Sequence, residues 1–182
     1  MAEPQRNEHR RDGRRRDNRE PVESEFTEKI IAVNRVSKTV KGGRHFGFSV
    51  LVCVGDGKGR IGVALGKAKA VPDAVRKGLE KAKKCLFTVP LHKSTITHPF
   101  IGKFGATSVF MQPASPGTGV IAGGAVRAIF EALGVKDVLS KRIGSNNPVN
   151  VAKAAMNALK RMRSVADIAK TRGITPQQVL QG

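Results

Sequence analysis

The sequence predicts an α+β fold in which three strands and a helix, in the order β-β-β-α, are followed by a second, α/β domain. Three observations predict it. Apolar residues alternate on both sides of a glycine-rich turn within residues 41–69, an amphipathic helix follows at once, and further strands and helices begin near residue 94. Of the 182 residues 40% are apolar, so the chain can bury a core, which the absence of Trp and Tyr makes mostly aliphatic.

The first domain centres on a hairpin. A strand is predicted for residues 30–40, and residues 41–44 (KGGR) turn the chain. The returning strand has an alternating apolar set, which period two places on one face: Phe46, Phe48, Val50, Val52 and Val54. Residues 55–59 (GDGKG) supply the next turn, because Asp-Gly and repeated Gly favour positive φ. One face of the third strand is made of small residues, which permit close approach by another molecule: Gly62, Ala64 and Gly66.

A helix is predicted directly after the third strand. Pro72 and Asp73 indicate its first turn, since proline and acidic residues favour helix N-termini. Apolar residues then recur at spacings of four, three and four, and this stripe is expected to face the sheet: Val75, Leu79, Ala82 and Leu86. Residues 86–93 are predicted to be a short link between the domains.

The second domain alternates strands and helices. Strands are predicted for residues 95–98, 106–112 and 136–143, with a turn at residues 102–105. A glycine-rich segment, residues 113–119 (the glycine loop), precedes a helix with four apolar residues: Val126, Ile129, Phe130 and Leu133. Asn147 is a suitable N-cap, and Pro148 a suitable first residue, for a helix that ends near residue 162.

The positive charge lies in the body of the chain. The formal net charge of +19 is far more than solubility requires, and it indicates a polyanionic partner, most simply nucleic acid. Residues 1–24 contain seven Arg but six acidic residues, whereas the remaining 158 residues contain 26 basic and eight acidic groups. We expect residues 1–24 to be disordered, because they have too few apolar residues to offset the entropy of folding.

The two cysteines indicate a reducing compartment. Cys53 lies in a predicted strand and Cys85 in a predicted helix, both among apolar neighbours, so buried free thiols are expected. No cysteine and histidine cluster has zinc-ligand spacing, and no apolar segment has the length of a signal peptide or membrane span. The sequence therefore predicts a cytoplasmic protein without a metal or other cofactor.

Enzymatic chemistry is disfavoured. The glycine loop resembles the phosphate loop of the galactokinase–homoserine kinase group, but the Ser-Ser that follows in those enzymes is replaced here, and a Walker pattern is absent. Phosphoryl transfer also needs carboxylates, and the second domain offers three, none of them expected near the loop: Glu131, Asp137 and Asp167. A phosphotransferase stays a remote alternative, and no catalytic residue or small-molecule substrate is predicted.

A family resemblance is found in three long segments: KTVKGGRHFGFSVLVCVGDGKGRIGVALGKA, FMQPASPGTGVIAGGAVRAIFEALGV and GSNNPVNVAKAAMNAL. They resemble the bacterial S-five family of small-subunit ribosomal proteins, over residues 26–162. The resemblance implies a first domain like a double-stranded RNA-binding domain without its first helix, and a second α/β domain with a left-handed βαβ crossover. We therefore expect a disordered tail (1–24), an RNA-binding domain (25–91), a C-terminal α/β domain (92–163) and an extension (164–182).

The resemblance also implies partners. These are small-subunit rRNA and the fourth and eighth small-subunit proteins, near the place where mRNA enters the subunit, with roles in subunit assembly and translational accuracy. The hairpin at residues 37–44 corresponds to the family's loop near the spectinomycin site. Residues 117–127 correspond to the interface with the fourth protein, which assigns four residues to that contact: Gly117, Thr118, Gly119 and Arg127.

Basic residues at the strand turns, with the glycines beside them, are the predicted rRNA contacts, because they neutralise phosphates and admit the backbone. The full set is Lys38, Lys41, Gly42, Gly43, Arg44, Lys58, Arg60, Lys67, Lys69, Lys81, Lys83 and Lys84. The last three depart from the usual double-stranded RNA-binding pattern, whose lysines lie at the N-terminal end of the helix, so RNA contact is expected chiefly at the turns. The alternative is a free RNA chaperone or regulator that uses the same surfaces.

Overall fold

A computed structural model of the chain describes residues 26–181, so the tail predicted for residues 1–24 lies outside the described residues. The strands are β1 (Thr27–Val40), β2 (Gly43–Gly55), β3 (Arg60–Ala68), β4 (Phe87–Thr88), β5 (Leu91–His92), β6 (Thr95–Ile96), β7 (Phe100–Phe104), β8 (Thr107–Pro113), β9 (Val120–Ile121) and β10 (Val138–Gly144). The helices are α1 (Val71–Lys84), α2 (Gly124–Leu133), α3 (Pro148–Arg161), α4 (Val165–Arg172) and α5 (Pro176–Gln181). The predicted α+β class is confirmed.

The first sheet has the order β1-β2-β3-β4 and is antiparallel throughout. β1 and β2 form a long hairpin, interrupted by a bulge between Ile30 and Ala32. β4 lies in the segment that the sequence predicted to be a link, where Phe87 pairs with Ile61. The predicted β-β-β-α order is therefore confirmed, with one short strand added at the sheet edge.

Helix α1 packs on the face of the sheet that has the small residues. Val50, Val52 and Val54 are fully buried there with Ala74 and Ala82 of the helix. The glycines of β3 make this contact close: a Cβ on Gly66 would lie 2.0 Å from the carbonyl oxygen of Ala74, and one on Gly62 would lie 2.3 Å from that of Ala82. The predicted stripe is corrected accordingly, because Ala74, Gly78 and Ala82 are the buried residues of the helix, while Val75 and Leu79 flank them.

The opposite face of the first sheet is buried as well. Leu51, Cys53 and Ile61 belong to one core cluster with residues of the second half, such as Ile129 and Phe130 of α2. The two halves also share backbone hydrogen bonds, since the amides of Gly57 and Gly59 donate to the carbonyls of Ala132 (3.1 Å) and Leu133 (3.2 Å). The turn between β2 and β3 thus caps the C-terminus of α2. Both halves therefore contribute to one core cluster, which is separate from the smaller cluster beneath α1.

The second sheet has the order β7-β8-β10-β9. β9 and β10 are parallel neighbours joined through α2, which makes the βαβ unit that the resemblance implied; its left hand stays a prediction. Helix α3 covers one face of the sheet, and it begins as predicted, with the Asn147 side chain accepting from the amide of Val149 at 3.0 Å. The turn predicted at residues 102–105 is wrong, because Gly102 lies within β7, where a Cβ would meet the carbonyl oxygen of Ala154 at 2.1 Å.

The cysteines differ in environment. Cys53 is buried, and burial raises the pKa of its thiol from 9.0 to about 11. Cys85 is exposed at the C-terminus of α1, so the expectation that it is buried is wrong. Among residues 26–181, no helix has the length and apolarity needed to cross a membrane.

Candidate RNA-binding surface

The hairpin tip, residues 38–44, projects from the first sheet. Lys38 pairs in register with His45 and Thr39 with Arg44, and the two-residue turn between the strands contains Lys41 and Gly42. Gly43 has φ +139°, a conformation that L residues rarely adopt, which explains why glycine is needed there. Lys38, Lys41 and Arg44 are exposed. The tip is therefore a narrow, cationic projection whose backbone a phosphate can approach closely.

The turn between β2 and β3 is organised by Asp56. Its carboxylate accepts from the amides of Lys58 (2.8 Å) and Arg60 (2.9 Å) and from Nε of the Arg60 side chain (2.7 Å). Burial alone would raise the pKa of Asp56, but the hydrogen bonds from the Arg60 side chain and from both amides outweigh it and lower the pKa from 3.8 to about 2. Arg60 is thus already paired, so a phosphate would compete with Asp56 for it, whereas Lys58 is exposed beside it.

Acid is expected to weaken this turn as the pH falls from about 4 to about 2. The pKa of Asp56 is lower in the folded chain than its unfolded value of about 3.9, so the carboxylate stabilises the fold above that value. Asp56→Asn should therefore lower the free energy of unfolding at neutral pH, and its difference from wild type should shrink as the pH falls through about 2. Urea denaturation at several pH values measures this, with Asp73→Asn as an exposed control. A difference that does not depend on pH would contradict it.

A basic groove lies between β3 and α1. It has a volume of about 490 Å³, and it is lined by Leu65, Glu80 and four lysines: Lys67, Lys77, Lys81 and Lys84. The three helix lysines share one face because they are spaced by four and three residues. All four lysines are exposed, and Glu80 is the one carboxylate in the lining. Lys69 adjoins this groove, lining a neighbouring cleft with Lys67 and Lys77. The groove suits an extended polyanion.

The lysines of α1 that line the basic groove differ from the three predicted as rRNA contacts. Lys83, which the sequence grouped with Lys81 and Lys84, lies away from the basic groove and forms a salt bridge of 2.8 Å with Glu28 of β1. Lys77 lines the groove with Lys81 and Lys84. The spacing of four and three residues predicts these three lysines on one face of the helix, although Lys77 was not among the predicted contacts.

The glycine loop is closed by a carboxylate of this chain. Asp137 accepts from the amides of Gly117 (2.9 Å) and Gly119 (3.1 Å), and the Ser94 hydroxyl donates to its other oxygen at 2.7 Å. The hydrogen bond from Ser94, followed by that from Gly119, lowers the pKa of Asp137, so it is ionised at neutral pH. The expectation that no carboxylate lies near the loop is wrong. The carboxylate of Asp137 already accepts from the amides of Gly117 and Gly119, so these two amides are not free to bind a nucleotide phosphate.

The other predicted protein contacts are Thr118 and Arg127, which are both exposed. Thr118 is exposed, and its hydroxyl donates to the carbonyl of Ser115 at 2.8 Å. Nε of Arg127 donates to Glu131 at 2.8 Å, and Lys29 of β1 forms a salt bridge with the same carboxylate. The hydrogen bond from Lys29 lowers the pKa of Glu131 most, and the hydrogen bond from Arg127 lowers it further. Arg127 and Lys29 thus share the Glu131 carboxylate, which joins α2 to the first sheet. The exposed part of the Arg127 side chain is available to contact a partner.

Within residues 26–181 no group of three or more His, Cys, Asp or Glu side chains could hold a metal ion. The hairpin tip and the basic groove instead present unpaired cations on a rigid frame, which favours binding of a phosphate backbone.

Both halves of the chain are similar to known protein families. Residues 26–90 match the family described as "Ribosomal protein S5, N-terminal domain", and residues 102–172 match "Ribosomal protein S5, C-terminal domain". A protein of Chloroflexus aurantiacus named "Small ribosomal subunit protein uS5" is 54% identical over 161 residues, covering 88% of this chain and 90% of that protein. Proteins of the same name from Syntrophobacter fumaroxidans and Alteromonas mediterranea are 55% and 53% identical, covering 85% and 86% of this chain and 93% and 94% of those proteins.

Proposed function

Because the chain belongs to the ribosomal protein S5 family, whose members are structural proteins rather than enzymes, we propose that it is a component of the small ribosomal subunit that binds small-subunit rRNA. It then resides in the cytoplasm as part of that subunit. The observation that carries the rRNA-binding proposal is the basic groove, in which four exposed lysines face a single carboxylate. Such a surface neutralises phosphates and releases counterions.

The proposal assigns a role to each surface. The hairpin tip and the basic groove contact rRNA, and the glycine loop with Arg127 contacts a neighbouring protein. By the family resemblance these neighbours are the fourth and eighth small-subunit proteins, close to the place where mRNA enters. Contributions to subunit assembly, translational accuracy and the response to spectinomycin belong to the same proposal. Asp137 supports it, because it fixes the backbone of the glycine loop in one shape for a partner to recognise.

A free RNA chaperone or regulator is the competing function. Sucrose-gradient sedimentation of a cell extract distinguishes the two, since a ribosomal component is expected in the small-subunit fraction in equal number with the subunits. A predominantly free pool would favour the competitor and contradict the proposal.

Arg44→Ala is expected to weaken binding to small-subunit rRNA. Removing one phosphate-binding side chain should reduce the magnitude of the slope of log K against log salt by roughly 0.7–0.9. Filter binding at several salt concentrations measures this slope. Arg172→Ala, which removes an exposed arginine from α4, serves as the matched control and should leave the slope unchanged. An unchanged slope for Arg44→Ala would remove the hairpin tip from the interface.

Replacing two lysines of the basic groove should have a larger effect. The double variant Lys77→Ala and Lys81→Ala is expected to reduce the same slope by roughly 1.4–1.8, because two phosphates are then no longer neutralised. Lys83→Ala is the control from the same helix, and it should change the slope little because Glu28 already neutralises that lysine. Equal effects of Lys83→Ala and a single groove variant would show that position on the helix does not matter, contrary to the proposal.

A further inference from the structure

The second sheet has one face that none of the described helices covers. We call this the outer face; it presents nine side chains from four strands: Ile101, Lys103, Ser108, Phe110, Gln112, Ile121, Leu139, Lys141 and Ile143. The opposite face supplies the core through the alternate residues, such as Val109, Met111 and Val138, which are fully buried. None of the five apolar residues of the outer face belongs to that core cluster or packs against it.

The strand register sets these side chains beside one another. Ile101, Phe110 and Lys141 are neighbours in one row, and Ile143 and Ser108 are neighbours in the next. On the other side Leu139 pairs with Ile121. Three of the aliphatic side chains are largely exposed in the folded chain: Ile101 at 49%, Ile121 at 56% and Ile143 at 58%.

This composition differs from that of a solvated sheet face. The side chains that a strand directs toward water are normally polar, whereas here each of the four strands directs at least one large apolar side chain to this face. Contiguous exposed apolar surface of this kind marks an interaction site. The outer face is therefore suited to burial against another molecule.

The charges of the outer face select the kind of partner. Its charged residues are Lys103 and Lys141, both exposed, and neither forms an ion pair with a described residue of the chain. No carboxylate lies among the nine residues. A partner that covers this face has to supply acidic groups, because burying two unpaired ammonium groups is costly.

We propose that the outer face binds a second protein, whose contact surface has aliphatic side chains bordered by Asp or Glu. An RNA partner would pair with the lysines but would offer a phosphate backbone, with no aliphatic groups, to the isoleucines. A second copy of this chain that presented the same outer face would bring two more lysines and no acid. Residues 1–25 have acids, but their only large apolar residues are Met1 and Val22.

This surface extends beyond the contact proposed for the glycine loop. It includes Ile121 from residues 117–127, adjoins the glycine loop at Gln112, and continues across three further strands to Ile101. The inference rests on the proposed function, because the partner is expected among the proteins of the small ribosomal subunit. The occupant is nevertheless defined by chemistry alone.

A photo-crosslinker at position 143 tests the proposal. Cells that produce the chain with benzoylphenylalanine in place of Ile143 are irradiated, the small ribosomal subunits are isolated, and the crosslinked products are identified by mass spectrometry. The expected product joins this chain to another subunit protein, at a segment that contains an Asp or Glu. The same group in place of Lys170 of α4, outside the outer face, is the control and should not give this product.

The outcomes separate the two proposals. If the chain is absent from the small-subunit fraction, the proposed function fails and this inference fails with it. If the chain is present but position 143 crosslinks to rRNA, to a second copy, to a segment without acids or to nothing, only this inference is overturned.

Charge reversal provides an independent measurement. Lys103→Glu with Lys141→Glu should reduce the yield of the position-143 crosslink at least about fivefold, because the acids of the partner then meet like charges. The melting temperature of the isolated chain should stay unchanged, since both side chains are exposed and unpaired. Lys170→Glu with Arg172→Glu, both exposed on α4, controls for the same change in net charge. A crosslink yield that survives the reversal would overturn the electrostatic part of the proposal.

Discussion

Gly66→Ala is expected to destabilise the protein by about 3 kcal/mol or more, at the upper end of overpacking effects. The new methyl group would lie 2.0 Å from the carbonyl oxygen of Ala74 and 2.7 Å from the amide nitrogen of Gly78. Both atoms belong to the backbone of α1, so no side chain can turn away to make room. The helix would have to move off the sheet, and Val50 and Val52 would no longer pack against it. Urea denaturation followed by circular dichroism measures the effect.

Gly124→Ala provides the matched control for this change. Gly124 is the first residue of α2, and a Cβ built there meets nothing within 4 Å. Alanine at a helical position is favoured over glycine, so this variant should be neutral or slightly more stable. If the two alanine variants unfolded at the same urea concentration, the close packing between β3 and α1 would not be a source of stability.

Residues 26–91 are expected not to fold when they are expressed without the second half. The separated segment would expose the face of the first sheet that contains Leu51, Cys53 and Ile61, all buried in the complete chain. Losing the burial of these side chains costs roughly 5 kcal/mol, which is comparable to the whole stability of a small domain. Calorimetry of the complete chain should show one transition, and that of the segment none. A cooperative transition in the segment would contradict this expectation.

A point variant tests the same coupling in the complete chain. Gly134 ends α2 with φ +89°, and a Cβ there would lie 2.0 Å from the carbonyl oxygen of Gly57 in the first half. Gly173 ends α4 with φ +68° and has nothing within 4 Å, so Gly173→Ala reports the cost of the backbone conformation alone. Gly134→Ala should be the more destabilising of the two. Equal destabilisation would mean that contact between the halves contributes little.

Periodicity predicted the elements of this fold better than the contacts between them. The alternation from Phe46 to Val54 identified β2, and the Asn147 cap with Pro148 identified the start of α3. Nothing local distinguishes the two faces of β2, because Leu51 and Cys53 are as apolar as their neighbours. The sequence therefore could not show that both faces are covered, nor that the small residues of β3 receive α1 rather than a ligand.

The candidate site was predicted only in part, because it also depends on contacts between elements. Charge and turn residues located the hairpin tip, but they could not distinguish Lys83, which Glu28 neutralises, from Lys77, which lines the basic groove. That difference depends on the salt bridge between Lys83 of α1 and Glu28 of β1, which are far apart in the sequence. Asp137 is a similar case, since it lies 18 and 20 residues from the amides that it binds and no local pattern connects them.

The turn at Gly57 and Gly59 can cap α2 only after α2 has been synthesised, so one face of the first sheet stays uncovered for a time. The first sheet leaves the ribosome before the helix that covers it has been made, because Ile61 precedes Leu133 along the chain. At about 5–20 residues per second this interval is roughly 4–14 s. A nascent chain of this protein is thus expected to expose an apolar, aggregation-prone sheet face for several seconds, and to need protection from aggregation until α2 emerges.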